Sequence, residues 1–61
     1  MKEREIKRMD KRVKAIRKAA EELKKLGKNW PSVDRNTARI LASVKMLEIN
    51  ISDLSALLSL Q

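Results

Sequence analysis

The sequence predicts an all-α fold, an antiparallel helical hairpin that self-associates into a four-helix or larger bundle. Three observations carry this. Apolar residues recur at heptad spacing in two stretches, one on each side of a short break. The only glycine and the only proline, Gly27 and Pro31, both fall in that break. The 61 residues include no Cys and no His, so neither disulfides nor the common transition-metal ligands can supplement so small a core. Association is the remaining staple.

Residues 2–26 read as the first helix. Lys, Glu, Arg, Ala and Leu fill it, all strong helix formers. Ile6, Met9, Val13, Ile16, Ala20 and Leu23 advance by alternating steps of three and four. Two rows result, one of Ile6, Val13 and Ala20, the other of Met9, Ile16 and Leu23. Glu3–Lys7, Asp10–Lys14 and Glu21–Lys25 place an acid four residues before a base, the stabilising order on a helix. Lys24 and Lys25 lie in the last turn, where cations suit the helix dipole.

Gly27 stands where a helix C-cap calls for a left-handed residue. Residues 27–31 form the loop, with Trp30 expected to fold over the hairpin end as an apolar plug. Ser32 is the expected N-cap of the second helix, and Asp34 supplies a carboxylate to its first turn. A connection this short joins antiparallel neighbours.

Residues 33–60 carry the second pair of rows. Thr37, Val44, Ile51 and Leu58 form one, and Val33, Ile40, Leu47 and Leu54 the other. Ala38, Ala42, Met46, Ile49, Ala56 and Leu60 make the outer side of this helix apolar as well, which marks a helix with more surface to bury than one partner helix covers. Asn50 and Ser52 allow a break near Asn50, with a short third helix after it; the heptad phase runs through 50–53 without a slip and favours one continuous helix. The expected oligomer core is therefore Ile6, Met9, Val13, Ile16 and Leu23 with Ile40, Val44, Leu47, Ile51, Leu54 and Leu58. A homo-oligomer follows, a dimer first and a tetramer as the alternative.

Charge is unevenly divided. Residues 1–28 hold twelve Lys and Arg against five Asp and Glu, whereas residues 29–61 hold three of each, so the whole net charge of +7 lies in the first half. Arg4, Lys7, Lys11, Lys14 and Lys18 recur at three- and four-residue steps and form a basic ridge. It suits a solvated face that keeps an apolar oligomer soluble, and it also suits contact with nucleic-acid phosphates or an acidic protein. A single aromatic residue argues against single-strand binding by base stacking.

Catalysis is not expected. With no His, Cys or Tyr, the candidates reduce to Ser, Lys and scattered carboxylates, and no serine has a base at a telling spacing. No calcium-loop pattern and no glycine-rich phosphate loop occur, so no cofactor or metal is expected. The stretch 40–60 is interrupted by Lys45, Glu48, Asn50 and Asp53, and a transmembrane helix needs roughly 20 mainly apolar residues. The charged N-terminal stretch carries no secretory signal, and the chain reads as cytoplasmic.

Two resemblances arise in the second half. Ile40-Leu41-Ala42-Ser43-Val44 and Ile51-Ser52-Asp53-Leu54-Ser55-Ala56-Leu57-Leu58 resemble the segment before the recognition helix in winged-helix regulators of the MarR or ArsR kind. Residues 33–54 after a basic helix are also similar to the helical part of ZapA-like cell-division proteins, which associate through coiled coils. Each spans under half of the chain, the recognition helix of the first and the β-rich head of the second have no counterpart here, and no residue role is carried over from either.

Overall fold

The protein is described by a computed structural model over residues 2–60. It is all-helical, with α1 spanning Lys2–Leu26 and α2 spanning Pro31–Ser59, and the two pack antiparallel as a hairpin. The bounds of α1 are those the periodicity predicts. α2 passes through Asn50 without a break, as the unbroken heptad phase requires.

The turn differs from the sequence expectation in three ways. First, Gly27 does not adopt a left-handed conformation; no glycine has a positive φ. Its N–H donates to the Leu23 carbonyl at 2.8 Å, which continues the helical pattern of α1 by one more bond. What the position needs is space. A Cβ there would run into the Val33 side chain and lie 3.2 Å from the Leu23 carbonyl oxygen, so glycine lets the first turn of α2 fold back against the end of α1.

Second, the N-cap of α2 is Trp30 and not Ser32. The cap makes no side-chain hydrogen bond. The residue before a proline is pushed out of the helical region, and Trp30 sits in extended backbone at φ −115° and ψ 101°, the conformation an N-cap requires. Pro31 then occupies the first turn, where its missing N–H costs nothing. The Trp30 carbonyl accepts from the Asp34 N–H at 2.9 Å, and the Trp30 N–H donates to the Gly27 carbonyl at 2.9 Å. Third, the Trp30 side chain is no plug, being 61% exposed.

The core between the helices is narrow. Val13, Ala20, Thr37 and Val44 are buried, with Gly27 beside them at the turn. Ile6, Ile51 and Leu58 continue the same two rows at intermediate burial toward the open end. Buried Thr37 is satisfied internally, its hydroxyl donating to the Val33 carbonyl at 2.7 Å. Of the two rows on each helix, therefore, only one closes the hairpin.

The shape explains why so little is buried. The Cα trace measures 48 × 15 × 10 Å with a radius of gyration of 14.3 Å. A compact domain of this length would have a radius of about 10.5 Å. The accessible surface is 5342 Å². A folded monomer of 7.0 kDa is expected to expose only about 4,000 Å². Two rods side by side have no interior beyond their line of contact, so the surplus surface stays exposed.

Candidate interaction face

The buried row divides the hairpin into two long sides. The register is fixed by Arg17 and Glu48, which meet across the helices with Nε to Oε2 at 2.6 Å and Nη2 to Oε1 at 2.8 Å. Both helices contribute to this side the residues next to the buried row: Asp10, Arg17 and Lys24 from α1, and Asp34, Leu41 and Glu48 from α2, all partly buried. Lys24 Nζ reaches Asp34 Oδ1 at 3.0 Å. Arg17 also approaches Glu21 at 3.6 Å, and Lys14 pairs with Asp10 at 2.8 Å. The paired side, here the back, is closed by charge. Of the intrahelical pairs expected from spacing, Asp10–Lys14 forms, while Glu21 turns to Arg17 instead of Lys25.

The back has a defined electrostatic state. Hydrogen bonds from the Arg17 guanidinium hold the Glu48 carboxyl below its ordinary value; partial desolvation and nearby Asp10 oppose the shift, and the charges of Arg17 and Lys45 reinforce it. The same hydrogen bond raises Arg17, and the Asp10 carboxylate raises Lys14. The back row was not singled out in the sequence. Its signal was there, in opposite charges one step from each inner row, but reading it requires the antiparallel register that joins positions 17 and 48.

The other side, the front, carries the second heptad rows. Met9 is 42% exposed, Ile16 45%, Leu23 43%, Ile40 43%, Leu47 40% and Leu54 40%. These six belong to the expected oligomer core, and the single chain leaves each of them half-covered. Leu47, placed mid-seam in that core, is among them: the hairpin contact uses the row one position round the helix, and no described residue lies over the front. Val13, Val44, Ile6, Ile51 and Leu58, the rest of the expected core, line the hairpin contact. At the open end Met9, Leu54 and Leu57 share one depression with Ile6 and Leu58, rimmed by Lys2 and Glu5, which places the front rows of the two helices on the same side.

The basic ridge lies elsewhere. Arg4, Lys7, Lys11, Lys14 and Lys18 are all exposed, and only Lys14 forms an ion pair among the described residues. At about 100° per residue, the ridge sits roughly 160–240° round α1 from the row of Met9, Ile16 and Leu23, on the side away from the front. Met46, Ile49 and Leu60 on the outer side of α2 are exposed too. Among the described residues no three Asp or Glu gather closely enough to hold a metal ion, and no helix is long and apolar enough to cross a membrane.

No family model matches the chain, and neither a curated protein nor a solved structure matches it.

Proposed function

We propose that the chain is a non-catalytic self-assembly module in which two hairpins meet front to front as a four-helix bundle. The observation that supports this is the front itself: six large apolar side chains at 40–45% exposure, in one strip, on a fold whose own contact buries, among the described side chains, only Val13, Ala20, Thr37 and Val44. Ordering a backbone costs about 1–2 kcal/mol per residue, and so thin a core offsets little of it. Covering the front adds the apolar burial the single hairpin lacks. The outer side of α2, with Met46, Ile49 and Leu60, makes a tetramer the alternative assembly.

Sedimentation equilibrium at micromolar concentration tests the reading. Twice the chain mass of 7.0 kDa, or a higher multiple, is expected, together with a melting temperature that rises with protein concentration. A folded species at 7.0 kDa overturns it.

A second reading, binding to nucleic acid or an acidic protein, has one observation in its favour. Arg4, Lys7, Lys11 and Lys18 are exposed, form no ion pair among the described residues, and remain open after the front is covered. Each phosphate neutralised on duplex DNA adds about −0.9 to the slope of log K against log salt. No measurable binding to DNA or RNA at about 50 mM salt, where the electrostatic term is strong, removes the nucleic-acid form of this reading.

A further inference from the structure

We propose that the two hairpins pair with their loops at the same end, each α1 lying across the partner's α2. This rests on the front-to-front assembly proposed above and adds its symmetry.

The front is built of three cross-hairpin layers. The Arg17–Glu48 register puts Ile16 level with Leu47, Met9 with Leu54 and Leu23 with Ile40. The hairpin is 48 Å long and 15 Å wide. That footprint is roughly 700 Å², close to the ~800 Å² each partner contributes to a standard interface. A second copy matches the strip in length, width and chemistry, so it is the occupant that covers the whole of it.

Two hairpins can be set face to face by either of two twofold axes. An axis across the helices, in the plane of contact, puts the loops at opposite ends and stacks α1 on the partner's α1. An axis along the hairpin keeps the loops together and stacks α1 on the partner's α2. Both keep neighbouring helices antiparallel, so helix dipoles do not choose between them. Net charge does. α1 holds eleven Lys and Arg against five Asp and Glu, a net +6, while α2 holds three of each and is neutral. With the axis across the helices, two helices of +6 lie about 8–10 Å apart, side by side. With the axis along the hairpin, they move to the diagonal of the bundle, about 14 Å apart, beyond the Debye length of about 8–10 Å at ordinary ionic strength. Each then faces a neutral α2. Repulsion within the bundle is least in this second arrangement.

The chain contains no cysteine, so a single one can be introduced and labelled. Asn29 is exposed in the turn, and its side chain makes no hydrogen bond among the described residues. Asn29→Cys, spin-labelled and measured by double electron–electron resonance, reads the loop-to-loop distance in the assembled protein. The expected result is a main distance under about 30 Å, a helix-packing diagonal plus the two label arms. A main distance near the 48 Å hairpin length overturns the same-end arrangement while leaving self-association intact. No dipolar signal, together with a sedimenting mass of 7.0 kDa, overturns both.

Discussion

Ile16 and Arg17 are neighbours on α1, and Leu47 and Glu48 are neighbours on α2, yet the two pairs meet different fates. Arg17 and Glu48 find each other across the hairpin at 2.6 Å. Ile16 and Leu47, about 100° round each helix, stay 45% and 40% exposed. Both sides obey the same heptad spacing, and both flank the same buried row. The back satisfies itself with charge and remains compatible with water, since its ion pairs keep about a third or more of their side-chain surface exposed. The front carries the exposed apolar rows, with Lys2 and Glu5 at its open end, and no described residue lies over it. For the proposed assembly this asymmetry favours the front: a copy seated on the back would have to strip water from paired charges, while one seated on the front would cover mainly apolar side chains.

The sharpest way to break this comparison is to remove the front's central side chain. Leu47→Ala is expected to cost about 2–5 kcal/mol when Leu47 is covered by a second copy. Val44→Ala, inside the hairpin contact, is expected to cost about 2 kcal/mol whatever the assembly state. The two differ in kind. Leu47→Ala should move the sedimenting mass toward the monomer and lower the melting temperature most in dilute solution. If Leu47→Ala leaves both the mass and the concentration dependence unchanged, the front is not an interface.

Gly27 gives the next effect in size. An added Cβ meets Val33, and overpacking of this kind costs typically about 1–3 kcal/mol. Because Gly27 has no positive φ, the cost is steric and local to that contact. Gly27→Ala should therefore be strongly destabilising alone and clearly less so in a Val33→Ala background, which removes the closest contact and leaves the position-33 Cβ at 3.1 Å and the Leu23 carbonyl oxygen at 3.2 Å. Equal penalties in both backgrounds would return the position to a left-handed cap.

These residues also show what the sequence could and could not disclose. Two helices and their near-final bounds were legible because heptad spacing survives in the sequence regardless of what covers it. Which row closes the hairpin was not legible, because Val44 and Leu47 satisfy the same periodicity. The deciding contact joins Arg17 to Glu48, 31 residues apart. The turn was legible in its location and not in its mechanism. Gly27 is required by the approach of Val33, and the helix start at Trp30 is set by the proline that follows it, while Ser32 is a good cap residue one turn position too late.

The smallest effect belongs to the back. Glu48→Gln keeps the size of the side chain and removes its charge. The pair is about one-third exposed, so its contribution is weakened by water and further screened by salt. A slight fall in melting temperature is expected, smaller at high salt, with no change in sedimenting mass. Acidity supplies the sign. Glu48 is held below its ordinary value of 4.5, so its folded form binds a proton less readily than its unfolded form. The stabilisation is complete above 4.5 and is lost as the pH falls through the folded value, because protons then favour the unfolded chain. The gap in melting temperature between the parent and Glu48→Gln should therefore be widest well above 4.5 and shrink as the pH falls below it. A gap that holds constant across this range would mean that Arg17 and Glu48 act by packing and not by charge. A change in mass on Glu48→Gln would place the back inside an interface and undo the division between the two sides.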